Sequence, residues 1–154
     1  MKSLILFRHA KTERDSTTGR DFDRQLAERG ERDASRMGEE LRKSEFDLIL
    51  SSPAARAVQT AALAGLAPRF EDRIYDASPG QLLAIVQEQH DSVDRLLMVG
   101  HNPGFERLAS QLVDQRIEMP TGSLMEIDLP IDHWREAGSK KGVPVRLLKP
   151  KELA

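Results

Sequence analysis

Leu4-Ile5-Leu6-Phe7-Arg8-His9-Ala10 lies near the start of the 154-residue chain and governs how the rest is read. Four consecutive apolar residues run into an arginine and a histidine, with a small residue directly behind. A short apolar run without alternation reads as a strand covered on both faces, as in the sheet of an α/β protein. In such sheets ligands sit beyond the carboxyl ends of the strands, which is where Arg8 and His9 emerge.

Two later runs repeat the pattern. Leu48-Ile49-Leu50 ends in Ser51-Ser52-Pro53, and Arg95-Leu96-Leu97-Met98-Val99 ends in Gly100-His101-Asn102-Pro103-Gly104. Helical segments separate them. From Leu26 to about Lys43, apolar Leu26, Ala34, Met37 and Leu41 recur at helical spacing, although Gly30 and Gly38 weaken the propensity. Ala54 to Ala64 is alanine-rich and follows Ser-Pro, a helix-start signal in which a hydroxyl caps and proline occupies the first turn. Ser78-Pro79 opens another helix through Gln89, and Phe105, Leu108, Ala109, Leu112 and Val113 form the stripe of a fourth. Phe70 to Tyr75 reads as a weak extended segment.

Toward the C-terminus, Ser123 to Leu129 alternates polar and apolar residues like a half-buried strand. Ile131 to Ala137 reads as a helical turn whose Trp134 packs in the core. Val143 to Leu148 is an edge strand because Pro144 lacks a donor. These two C-terminal strands are expected to be antiparallel additions. The whole predicts α/β architecture: one domain over residues 1–154, in three α/β/α layers, around a mixed, mainly parallel sheet.

Composition narrows the function. Hydrophobic residues make up 39% and charged residues 31%, a globular balance. Twenty-three basic against 25 acidic residues leave a net charge of −2, which offers no general attraction to nucleic acid or membrane. With no cysteine, disulfides, thiolate metal sites and cysteine nucleophiles are excluded. No apolar run approaches a membrane span, and a cytoplasmic protein, monomeric or weakly oligomeric, is the expectation. Residues 11–25, KTERDSTTGRDFDRQ, form a long polar loop whose Arg20 and Arg24 are expected at the surface.

If the three apolar strands are parallel neighbours, their ends share one rim. Arg8 and Arg56 can each present a planar fork to phosphate oxygens, and Arg56 falls in the first turn of a helix, where free N–H groups favour anions. His9, neutral near pH 7, is a nucleophile for a phosphoryl group held there, and His101 can stabilise developing charge. Phosphoryl transfer depends mostly on positioning and charge neutralisation, which arginines can supply without a metal or other cofactor. Lys11, Ser52 and Asn102, at the same strand ends, are read as substrate contacts.

Arg8-His9-Ala10, then Ser51-Ser52-Pro53-Ala54-Ala55-Arg56-Ala57-Val58-Gln59-Thr60, then Val99-Gly100-His101-Asn102-Pro103-Gly104, resemble the histidine phosphatase superfamily, with its phosphoglycerate-mutase-like fold. Arg8-His9-Ala10-Lys11, Thr121-Gly122-Ser123 and the short chain are most similar to its SixA-type phosphohistidine phosphatase branch. The resemblance implies that His9 is phosphorylated in turnover, with Arg8, Arg56 and His101 completing the phosphate pocket and no metal or cofactor. Gln25 and Ala27 depart from an expected proline and hydroxyl residue before the first helix, which removes a cap. Of the carboxylates Glu71, Asp72 and Asp76, Asp76 is the one assigned as general acid. The substrate implied is a phosphohistidine protein or a small phosphorylated metabolite. A mutase-type transfer enzyme and a non-catalytic phospho-ligand-binding module are the alternatives.

Overall fold

A computed structural model describes residues 1–153. Strand β1 (Lys2–Arg8) is followed by α1 (Glu28–Leu41), β2 (Leu48–Ser51), α2 (Ala55–Leu63), β3 (Arg69–Phe70), α3 (Pro79–Gln87), β4 (Arg95–Gly100), α4 (Gly104–Val113), β5 (Leu124–Leu129) and β6 (Val143–Leu148). The strands form one sheet in the order β3-β2-β4-β1-β5-β6. The first four are parallel; β5 adds antiparallel beside β1 and β6 antiparallel beside β5, as expected.

The unbroken apolar run of β1 is explained by burial on both sides. Leu4 and Leu6 join a core with Leu96 and Met98 under α3 and α4, while Ile5 and Phe7 join Leu97 and Val99 under α1 and α2. All four β1 residues are fully inaccessible to solvent. Trp134 closes the α3/α4 side, its ring nitrogen donating to the Val93 carbonyl at 2.7 Å.

Gly30 and Gly38 gain a role that propensity does not express. A Cβ on Gly30 would collide with the Lys11 carbonyl, and one on Gly38 would lie 2.6 Å from the Ala64 carbonyl oxygen. Helix α1 uses the two glycines to press against the loop after β1 and against the end of α2.

Other expectations need correction. The Phe70–Tyr75 segment is extended only over Arg69–Phe70; a single 3₁₀ turn, Asp72–Ile74, then buries Ile74 beneath the sheet end and presents Tyr75 to the site rim. The Ser-Pro signal does not start α2, because Ala54 is the N-cap and carries no side-chain cap. Strand β5 is covered on both faces rather than half-buried. Its Glu126 is paired by Arg95 at 3.3 Å and Arg146 at 3.1 Å, so the polar half of the alternation is accommodated by ion pairs. Helix α1 begins at Glu28 on Ala27, which supplies no cap, in keeping with the lost hydroxyl.

Candidate active site

Strand register brings the three predicted ends together. Arg8 pairs with Gly100 and Ser51 with Val99, so His9, Ser52 and His101 each step off the sheet at the same edge. The ring centroids of His9 and His101 are 5.3 Å apart, tilted by 53°. His9 is held by its own backbone, donating to the Gly100 carbonyl at 3.0 Å and accepting from Gly122 at 2.8 Å. Thr60 ties this corner to α2: it accepts from the Ala10 amide at 3.0 Å and donates to the Arg56 carbonyl at 2.7 Å.

The tautomers follow from hydrogen bonding. His9 Nδ1 lies 2.8 Å from the Ala10 carbonyl, an acceptor only, so Nδ1 carries the proton and Nε2 holds the free lone pair. His101 Nε2 lies 2.7 Å from Ser52 Oγ, and Ser52 Oγ also accepts the Ala54 amide at 3.2 Å. A hydroxyl that already accepts has its proton to give; donated to His101 Nε2, it leaves the ring proton on Nδ1. His101 Nδ1 is buried without a partner. Ser52 therefore orients the second histidine.

Burial in a cationic corner keeps both rings neutral. His9 is pushed down to about 4, chiefly by desolvation and then by Arg56, Arg8 and Arg24, against the opposing Ala10 bond. His101 is pushed down to about 3 by desolvation and then by His9 and Arg56. Arg8 donates through Nη1 to the Met119 carbonyl at 2.8 Å, while its Nε and the Nε of Arg56 are buried and unpartnered.

Arg56 reveals a group that the sequence reading passed over. Its Nη1 donates to the Asp21 carbonyl at 2.8 Å and its Nη2 to Asp21 Oδ2 at 3.0 Å. The Tyr75 hydroxyl donates to the same carboxylate at 2.8 Å, and Arg24 holds its other oxygen at 3.0 Å. Partial burial disfavours the Asp21 charge, but Tyr75, Arg56 and Arg24 outweigh that and hold the carboxyl well below its usual range. Tyr75 also lies edge-on to His101, with centroids 5.6 Å apart. Arg24, expected at the surface, is instead half-buried and also bonds Thr12 and the Glu13 carbonyl. Asp21 sits among many charges in a polar loop, and nothing in its local pattern separates it from Asp15 or Asp23.

The remaining predicted residues are less engaged. Asn102 spends its amide protons on Glu106 at 3.0 Å and the Met119 carbonyl at 2.8 Å, which makes it a brace for the loop carrying Met119. Lys11 is exposed, and what the fold uses is its carbonyl, which accepts from Ala27. Asp76 is exposed, with a left-handed backbone (φ 56°). Among the described residues no three His, Asp or Glu side chains converge as metal ligands, and no helix is long and apolar enough to cross a membrane.

Two buried histidines that follow β1 and β4, Arg8 at the end of β1 and Arg56 in the first turn of α2 thus gather at one end of the sheet, with the free lone pair of His9 Nε2 among them. The profile of the histidine phosphatase superfamily (branch 1) matches residues 4–107, and the chain belongs to that family. An uncharacterised Mycobacterium tuberculosis (strain H37Rv) protein is 43% identical over 93 residues; the match spans 58% of this chain and 59% of the mycobacterial one. An uncharacterised chloroplastic protein of Arabidopsis thaliana is 28% identical over 92% of this chain and 72% of its own. Among solved structures, a SixA protein of Agrobacterium tumefaciens, named as a candidate phosphohistidine phosphatase, superposes with a TM-score of 0.81 at 28% identity, covering 97% of this chain and 98% of that one. The protein histidine phosphatase SixA in complex with tungstate matches in fold with a TM-score of 0.83 at 22% identity, covering 99% of each chain. The phosphoglycerate-mutase-like fold is thereby established.

Proposed function

We propose that this protein is a metal-independent phosphohistidine phosphatase that works through a phosphorylated His9. The observation that carries the reading is the set of buried, unpartnered nitrogens around that ring: Arg8 Nε, Arg56 Nε and His101 Nδ1. Buried donors without acceptors are costly and rare, and an incoming phosphoryl group would satisfy all three.

In the first step the lone pair of His9 Nε2 attacks phosphorus. The P–Nε2 bond forms as the bond to the leaving group breaks, and the electron pair departs with that group. Arg8, Arg56 and His101 neutralise the equatorial oxygens. In the second step water attacks the phosphohistidine, inorganic phosphate leaves, and Nε2 recovers its lone pair. The Nδ1 bond to Ala10 keeps the ring oriented throughout.

Leaving-group chemistry favours phosphohistidine over an alkyl phosphate. Asp21 is held ionised by three donors and has no proton to offer, and Asp76 lies exposed in the rim segment. A leaving imidazole takes its proton near neutral pH, whereas an alkoxide needs a strong acid beside it. Small phosphorylated metabolites with good leaving groups remain within the same chemistry. A cytoplasmic place of work is part of the proposal, supported by apolar runs that are all of strand or helix-face length.

Rapid-quench labelling tests the proposal. Acid-labile phosphate should accumulate on the wild type and be absent from His9→Ala, whose turnover of an aryl phosphate should fall by about 10³-fold or more. Full activity in His9→Ala would overturn the reading.

A further inference from the structure

Arg8 lines a trough of about 870 Å³ that runs between the start of α4, the loop carrying Met119, and the C-terminal segment after β6. Its charge is unlike that of the chain. Arg107, Arg116, Lys149 and Lys151 line it beyond Arg8, in a molecule whose net charge is −2. The two acids in it are already committed. Glu118 pairs with Arg116 at 2.9 Å, and Glu106 binds Asn102 at 3.0 Å. Among the described residues, Arg107, Lys149 and Lys151 have no carboxylate partner within ion-pair distance. Three such cations from two separate elements line a trough that Arg8, the residue before His9, also lines.

We propose that this trough docks an acidic face of a protein substrate, next to the phosphorylated side chain being cleaved. The proposal rests on the phosphatase reading above and deepens it by naming the substrate's surroundings. Its dimensions argue for a macromolecular surface. Arg107 and Lys151 are exposed, and a second small anionic group would need far less space and a desolvated partner to hold it. Solvated cations spread along an open groove act by complementary potential, which speeds encounter and orients a large charged partner.

Four probes separate the possibilities: a phosphohistidine peptide flanked by glutamates, one of equal length flanked by serine and alanine, a small bisphosphate, and an aryl phosphate. The wild type should prefer the acidic peptide over the neutral one by about tenfold or more in kcat/KM. That preference should shrink as salt rises from about 0.05 M to about 0.5 M, which shortens the screening length severalfold. Arg107→Glu/Lys149→Glu/Lys151→Glu, and the milder variant with glutamine at the three positions, should lose the preference through KM. Their aryl phosphate turnover should stay unchanged, which also reports intact folding.

Equal rates on both peptides in the wild type, or an equal loss on both in the variants, would overturn docking while leaving the phosphatase reading intact. A bisphosphate that shows the same charge dependence as the acidic peptide would assign the trough to a small dianion and equally overturn protein docking. If the wild type released phosphate from none of the four probes, both proposals would fail together.

Discussion

Arg56 illustrates how a single side chain can be legible in type and unreadable in its partners. Its place behind Ser51-Ser52-Pro53 is the ground for proposing an anion-binding role, and the structure also loads it with two bonds to Asp21, one to backbone and one to side chain. Those bonds use one N–H of each terminal nitrogen, and the buried Nε has no partner. Only a guanidinium has enough directed donors for both duties. Arg56→Lys is therefore expected to lower kcat/KM on an aryl phosphate by about 10²-fold, a loss comparable to deleting an oxyanion donor, with a small change in melting temperature. Steady-state kinetics beside a thermal melt would check it; retention of more than half the activity would contradict the double duty of the guanidinium.

At the scale of elements, the site depends on close backbone approach. Helix α1 meets the end of α2 at Gly38, where an added methyl group would face the Ala64 carbonyl and Cα. Both neighbours are backbone, so relief requires the helices to move apart. Gly38→Ala should then destabilise the fold by about 1–3 kcal/mol, although alanine is the better helix former by about 1 kcal/mol. Urea denaturation measures the sum, and a stabilised variant would contradict the contact. Ser52 provides a second case. It is expected from sequence as a helix cap, but it bridges Ala54 and His101 instead. With Ala54 as its cap, α2 starts two residues later than a Ser52 cap would place it, because Ser52 is still leaving the sheet with its amide bonded to the Val99 carbonyl.

For the molecule as a whole, two neutral buried histidines make stability depend on pH. Each ring binds a proton in the unfolded chain near pH 6.5 but resists it in the fold until about 4 for His9 and about 3 for His101. Between those values the unfolded state holds more protons, so stability rises with pH. It should be complete above about pH 7 and fall as pH drops below 6.5, at up to about 1.4 kcal/mol per pH unit for each ring. Chemical denaturation at several pH values between about 4 and 7 should show this slope, and His101→Gln should lessen it. The lowered Asp21 carboxyl acts in a separate window, its contribution fading only below its ordinary range near 3.8. A pH-independent stability from 7 to 4 would contradict the neutral assignment.

By itself the sequence determined the layers and singled out the residues proposed for the site. Apolar runs too continuous for a half-solvated sheet demand cover on both faces, and Arg8, His9, Arg56 and His101 declare themselves by standing at the ends of such runs or one turn beyond. Those signals are local, because periodicity and strand-end chemistry can be read within a dozen residues. Tertiary structure alone decided the partners. Asp21 meets Arg56 across 35 positions and Tyr75 across 54, and Ser52 meets His101 across 49. Glu126 is paired in its buried position only because Arg95 arrives from β4, two strands away, and Arg146 from the adjacent β6. Pairing between distant residues leaves no periodic trace in the chain; it follows from sheet order and register, which fix which side chains arrive at the same point in space.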